Sequence, residues 1–203
     1  MRRLKLEAGR RALVVVAHPD DETIWLGGTI LLNEEVRWTI FCLSRKSDDD
    51  RRPKFARACA RLGAKAIMTD LDDTGKFSVN EMIPRIKRLL NQELKNKCFD
   101  YCFGHGENGE YGHKNHIGAH QALKEWNPYE KLKCRQFLVF NYKKAKKGAS
   151  PSMIIKKDSN YYTDLPAKIF KEKKIIQSKI YGYFWNGIDN SLCAKKEGFK
   201  IIK

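Results

Sequence analysis

The 203-residue chain has no C-x-x-C pair among its six cysteines, no apolar stretch of membrane-spanning length and a shortage of acids. Each lack excludes something. Cysteines at 42, 59, 98, 102, 134 and 193 are spaced too widely for a thiolate zinc site. With no export signal in view, they read as buried free thiols rather than a disulfide framework. The apolar run near the start, residues 13–17, falls far short of the ~20 residues a span needs. The opening MRRLKLEAGRR lacks an apolar h-region, and lipidation motifs are absent, so a cytoplasmic location is the expectation. No G-x-G-x-x-G follows the first strand-like run, which removes support for dinucleotide binding.

The acids number 24 against 40 basic residues, a net charge of +16. Residues 129–203 hold 17 Lys and one Arg against six acids, so +12 of that charge lies in the last third. A lysine-rich field attracts anions: an anionic substrate, an anionic membrane surface or nucleic acid. The plainer reading is a solvated basic surface. Nucleic acid is the least favoured partner, and oligomeric state is not legible.

Strand and helix signals alternate over the first two-thirds. Strands are expected at 13–17, 36–43, 65–69, 99–103 and 136–142, and helices at 22–33, 54–62, 79–95 and 113–126. Gly63 should end the second helix, Pro84 should sit near the first turn of the third, and Gly118 weakens the fourth. A basic Gly/Ser/Pro loop occupies 144–151, and a further helix is expected near 165–180. Such alternation predicts an α/β, Rossmann-like three-layer fold, with a mainly parallel sheet and helices on both faces. The length fits a single domain, 1–203, with the lysine-rich part belonging to it. Ligand chemistry then belongs beyond the carboxyl ends of the strands.

Two clusters fall at that edge. The first strand runs into His18-Pro19-Asp20-Asp21-Glu22. One acid could serve the following helix N-terminus, but capping needs neither the histidine nor a second Asp. After the fourth strand comes HGENGEYGHKNH, residues 105–116, with three of the five histidines. His18 and His120 are the others. His113 and His116 share a face if they open a helix. Imidazoles and a carboxylate converging on one edge suit zinc or another divalent first-row metal. Two His and one Asp would leave a position open for water, the arrangement of a hydrolytic site rather than a structural one. His105 and His120 read as supporting residues, and Glu22 as one that orients its motif. Trp25 is either packing or pocket wall, as is Tyr111, while Trp38, Trp126 and Trp185 read as packing.

These residues also carry a resemblance. AHPDDE at 17–22, followed by Gly27-Gly28-Thr29-Ile30, and GEYGHKNH at 109–116 resemble the two motifs of the PIG-L/LmbE-like zinc-dependent N-acetylglucosaminyl de-N-acetylases. Arg51 with Leu62-Gly63, and Leu165-Pro166, Lys173-Lys174 and Tyr181-Gly182 further on, fit the same pattern, so the resemblance spans nearly the whole chain. It implies His18, Asp21 and His116 as Zn2+ ligands and Asp20 as general base. It implies His113 as oxyanion stabiliser and Arg51 as a contact to the substrate's head group. Two positions depart from the family pattern. Asn115 stands where Asp is common, a residue that would pair with His113, and Lys54 stands where Glu is common. Glu107 or Glu110 could substitute for the missing carboxylate. The mixed-charge loop 44–52 borders the expected site.

The implied activity is hydrolysis of an N-acetyl group from an amino sugar or N-acetylglucosamine conjugate. One alternative is a zinc amidase acting on another amide, such as a sugar–thiol conjugate. Another is a basic binding module for nucleic acid or anionic lipid with a weakened metal site.

Overall fold

Residues 12–16 alternate strictly between two cores, as a strand covered on both faces must. Ala12, Val14 and Val16 face one apolar cluster, and Leu13 and Val15 the other. The computed structural model describes residues 1–95, 97–126, 133–145 and 152–202.

The elements run β1 (Arg2–Arg3), β2 (Arg11–Val16), α1 (Asp21–Leu32), β3 (Arg37–Cys42), α2 (Arg51–Arg61), β4 (Lys65–Met68), α3 (Val79–Glu93) and β5 (Cys98–Gly104). A helical turn α4 (Gly109–Gly112) leads into α5 (Lys114–Trp126), then β6 (Lys133–Phe140), β7 (Tyr142–Lys144), β8 (Met153–Ile155) and β9 (Tyr161–Asp164). The chain continues through α6 (Ala167–Ile175), a π-helical turn (Ile176–Ile180), α7 (Ile188–Leu192) and β10 (Lys196–Ile202). Eight strands form one sheet in the order β1-β9-β10-β6-β5-β2-β3-β4. From β6 to β4 every pairing is parallel, and β10 joins antiparallel to both β6 and β9. The expected mainly parallel α/β sheet is therefore present, extended at one edge by the antiparallel β10 and, beyond it, by β9 and β1, which pair parallel to each other.

Helix α1 buries Ile24, Trp25, Leu26 and Ile30 in one core, where Phe55 of α2 also packs. Helices α3 and α5 bury Met82, Ile86, Leu90, Ala119 and Leu123 in the other. After β2 the chain crosses to one face, and after β5 to the other. The carboxyl ends of these adjacent strands border a crevice of the kind in which open α/β sheets bind ligands.

Helix α2 begins three residues earlier than the sequence implies. Pro53 lies in its first turn, where a missing N–H costs nothing, and the Asp48 carboxylate accepts the N–H groups of Asp50 and Arg51. Its end is as expected, with Gly63 at φ +65° and Ala64 N–H bonded to the Cys59 carbonyl. Helix α3 starts at a capping box between Ser78 and Glu81. That places Pro84 in its second turn, not near the first.

The C-terminal third was poorly read. The strand expected at 136–142 ends at Phe140, and Asn141 starts a turn held by its amide on Asp158 and Ser159. Strands β1 and β7–β10 were not anticipated. Most of the basic loop at 144–151 lies outside the described residues. The 165–180 helix exists but changes from α to π hydrogen bonding at Ile176. Cys42, Cys59, Cys102 and Cys193 are buried free thiols, Cys134 is half-buried and Cys98 exposed.

A buried ion pair ties this C-terminal part to α1. Lys173 Nζ is 2.7 Å from Glu197 Oε1, and both side chains are fully buried. Glu197 also accepts the N–H groups of Gly28 and Thr29 and the Thr29 hydroxyl. Gly28 allows the close approach: a Cβ there would lie 2.3 Å from the Leu165 side chain.

Candidate metal centre

Asp20 occupies the bend between β2 and α1 with φ 120°, a backbone conformation that L side chains rarely adopt. Glu22 stabilises this bend. Its carboxylate accepts the Asp20 N–H (3.0 Å) and the hydroxyls of Thr23 (2.6 Å) and Tyr181 (2.8 Å). Glu22 thus orients its motif, as the sequence indicated, and does so from complete burial. The bend turns His18 and Asp21 toward the second motif on α5.

Three donor atoms meet there. His18 Nδ1 lies 3.3 Å from Asp21 Oδ2, Asp21 Oδ2 lies 3.4 Å from His116 Nε2, and His116 Nε2 lies 3.4 Å from His18 Nδ1. A tetrahedral site with metal–ligand distances of about 2.0–2.1 Å has edges of roughly 3.3 Å. The near-equilateral triangle therefore has the dimensions of one face of a tetrahedral divalent-metal site. The donors, two imidazoles and a carboxylate, suit zinc and other first-row ions.

Each donor is fixed from behind. His116 Nδ1–H donates to Glu110 Oε2 (2.6 Å), which leaves Nε2 with its lone pair toward the triangle. Trp25 Nε1–H donates to Asp21 Oδ1 (2.9 Å), and His18 N–H to Asp21 Oδ2 (2.9 Å). The Asn115 amide lies 3.4 Å from His18 Nε2. Burial alone would raise the Asp21 carboxyl, but the facing His116 and His105 imidazoles hold it well below the usual carboxylate range. Burial would lower His116, yet Asp21 and Glu110 outweigh it and raise that imidazole to about 10. Both directions report the same property: the pocket strongly favours a positive charge at His116 Nε2, and a metal cation satisfies that demand as a proton does.

His105 Nε2 is 3.5 Å from Asp21 Oδ2, and Asp21, His105 and His116 form a second group that could hold an ion, but this nitrogen is already engaged. That nitrogen accepts the Ala17 N–H at 3.0 Å, while its Nδ1–H donates to Glu110 (2.9 Å). His120 Nδ1 in turn bonds the His105 carbonyl. Both histidines are thus hydrogen-bonded beside the triangle.

His113 stacks on His116 at 4.5 Å and lines the cavity. Its Nδ1 accepts the Asn115 backbone N–H (3.3 Å), so Nε2 carries the hydrogen and is the donor. Burial, then the neighbouring His116 and His18, lower His113 to about 4. Two expectations about position 115 need correction. The Asn115 side chain approaches His18, not His113, and only its backbone contacts His113. Nor does Glu110 replace a carboxylate beside His113, because it bridges His105 and His116.

Asp20 sits beside the triangle, nearly buried. Burial and the adjacent Asp21 carboxylate push it well above the usual range, against the lowering effects of Tyr183 and Arg51. The Tyr183 hydroxyl donates to Asp20 Oδ2, and Arg51 lies 3.8 Å from the same oxygen and over the Tyr183 ring. Sequence reading missed Tyr183, which stands two residues after the Tyr181 it singled out. A cavity of about 310 Å³ opens over these groups, lined also by Trp25, Tyr111 and Arg45. Trp25 is thus both packing and pocket wall.

A family model described as PIG-L, GlcNAc-PI de-N-acetylase, matches residues 13–127, from β2 through both metal-site motifs. The chain belongs to the PIG-L family. An uncharacterized protein of Acanthamoeba polyphaga mimivirus is 28% identical over 172 residues, covering 73% of this chain and 75% of its own. Among solved structures, the N,N'-diacetylchitobiose deacetylase of Pyrococcus horikoshii superposes with a TM-score of 0.67 at 18% identity, over 95% of this chain and 84% of its own. The 4-carboxy-2-hydroxymuconate hydratase of Pseudomonas putida KT2440 gives a TM-score of 0.66 at 16% identity, over 96% of both chains. At these identities the two structures establish the PIG-L fold and not the reaction, since one is named a deacetylase and the other a hydratase.

Proposed function

We propose that the protein is a metal-dependent de-N-acetylase that hydrolyses an N-acetyl group from an amino sugar or N-acetylglucosamine conjugate. The observation that carries this reading is the triangle of His18 Nδ1, Asp21 Oδ2 and His116 Nε2, open toward the cavity. Those three residues would hold Zn2+, or another divalent first-row ion. Bound there, the ion would activate water and polarise the scissile carbonyl.

Asp20 takes the proton from the attacking water. Its burial, which favours the protonated form, suits it to return that proton to the departing amine. Tyr183 and Gln177 hold Asp20 in place, one on the carboxylate and one on the backbone carbonyl. His113 donates from Nε2 to the carbonyl oxygen as charge develops on it, and as a neutral imidazole it needs no proton of its own from solvent. Arg51, at the start of α2, binds the substrate's polar head group. The 1–203 chain works as one unit in this reading, because the N-terminal motifs and Tyr183 meet in one cavity.

The test is acetate release by zinc-loaded protein from a panel of N-acetylglucosamine conjugates, from the free sugar to lipid-linked forms. Release from at least one member, abolished by His116→Ala, supports the reading. Tight stoichiometric metal binding with no acetate from any amide in the panel would overturn it.

A further inference from the structure

Seven large hydrophobic residues are exposed among the described residues, and three of them fall within five consecutive positions. Phe184 is 87% exposed, Trp185 43% and Ile188 64%. The remaining four, Met1, Leu32, Tyr111 and Ile154, are scattered along the chain. Isolated exposed apolar residues are ordinary, but a cluster is not.

The cluster is held by a fixed turn. Gly187 N–H donates to the Phe184 carbonyl (2.9 Å), and the buried Asn190 donates its amide to the same oxygen (3.3 Å). Three side chains are thereby kept in solvent by hydrogen bonds that α7 anchors from inside. The turn lies between Tyr183 on one side and Asp189 and Leu192 on the other, all three lining the cavity over the metal centre.

Its surroundings are cationic. Lys174 Nζ lies over the Trp185 ring at 4.6 Å. Lys54 Nζ reaches to 3.9 Å from where a Cβ on Gly182 would stand, but it is ion-paired with Asp50 and so adds no unbalanced charge. Lys171 and Lys179 are exposed on the adjoining helical segment. Residues 165–196 hold seven lysines against two acids, and of the seven Lys173 is buried against Glu197, which leaves six to the surface. Of those acids, Glu172 is paired with Arg61 and Asp189 faces the cavity.

We propose that Phe184, Trp185 and Ile188 form a wedge that docks the protein on an anionic lipid bilayer, bringing the mouth of the cavity to the membrane surface. Aromatic side chains favour the headgroup level, and lysines around them are drawn to anionic headgroups. A short apolar wedge binds weakly by itself and needs a basic patch as a second signal, and here both occur together. The aliphatic Ile188 argues for acyl chains over a sugar-stacking platform. The concentration of lysines beside it disfavours a second copy of the same basic face, which would repel it.

The other three tryptophans are buried, so Trp185 is the reporter of this surface. Its emission should shift to the blue, and its quenching by acrylamide should fall, when vesicles of phosphatidylcholine with phosphatidylglycerol are added. Phosphatidylcholine alone should do little. Binding should weaken at least roughly tenfold as salt rises from about 0.01 M to about 1 M, where the Debye length falls from about 30 Å to about 3 Å. The double variant F184S/I188S keeps the reporter and should lose most of the vesicle binding, with an unchanged circular-dichroism spectrum. No sedimentation with either vesicle would overturn the proposal. So would self-association in equilibrium sedimentation that the double variant abolishes, because a second copy would then cover the wedge. None of these readouts requires metal or turnover, so they stand apart from the proposed reaction.

Discussion

Glu110 Oε2 lies 2.6 Å from His116 Nδ1 and 2.9 Å from His105 Nδ1, so one buried carboxylate oxygen holds two imidazoles. Its residue adopts φ 56°, left-handed for a non-glycine residue. Burial opposes its charge, but the two histidines bring the carboxyl down to about 2. Glu110→Gln should weaken metal binding about 10–100-fold, because His116 loses an anionic partner while its ring keeps an acceptor. Competition with a chromophoric chelator measures this. Unchanged affinity would show that the ring is held by packing alone.

Asp20 and Asp21 should separate cleanly. Asp20→Asn should keep the metal and lose about 10²-fold or more in turnover, since it removes the base and no ligand. Asp21→Asn should lose metal first. Elemental analysis beside single-turnover acetate release distinguishes them, and the reverse pattern would mean the roles are exchanged.

Asn115 should act on the metal through His18. If Nδ1 of His18 ligates, its Nε2 carries a hydrogen and the Asn115 amide oxygen can face it, an orientation the amide can adopt by flipping. Asn115→Asp should then tighten metal binding and Asn115→Leu should loosen it, each by up to about tenfold. Equal affinities in all three proteins would remove Asn115 from the site.

Arg51 lines the cavity and neighbours Asp20, and in the proposed reading it also contacts substrate. If it binds the head group, Arg51→Met should raise KM by about tenfold with a smaller fall in kcat. A fall in kcat with KM unchanged would assign it to Asp20 instead.

Lys173→Met should destabilise the fold by about 3 kcal/mol, because it leaves Glu197 buried without its cation. The double variant with Glu197→Gln should recover part of that loss. Urea denaturation checks both. A single-variant loss below about 1 kcal/mol would mean that the α1 amides satisfy Glu197 unaided.

The parallel half of the sheet was legible because buried parallel strands are short apolar runs bounded by helices. Those patterns survive in residues 13–17 and 99–103. The convergence of His18, Asp21 and His116 was legible because these residues sit in two short contiguous motifs. What failed was long-range or half-exposed. Strand β9 reads YYTD and strand β10 KEGFKII, and neither alternates cleanly, because β10 buries a charged Glu197 whose partner is 24 residues away. Tyr183 carries no local signal, since its role depends on a hydrogen bond to a residue 163 positions earlier. The partner of Glu110 could not be read either. Three histidines lie within six residues of it, and which of them it meets depends on a positive-φ backbone at 110 that the local sequence does not announce.

The distance along the chain between Asp20 and its supports has a consequence during synthesis. A nascent chain that has emerged as far as α5 already carries His18, Asp21 and His116, and could hold an ion. Gln177, Tyr181 and Tyr183, which fix the bend and the carboxylate at Asp20 and Glu22, leave the ribosome well after α5 has done so. In the proposed reading, metal capture can therefore precede competence for hydrolysis, and a chain cut short before 177 would keep the donor triangle and lack the supports of Asp20.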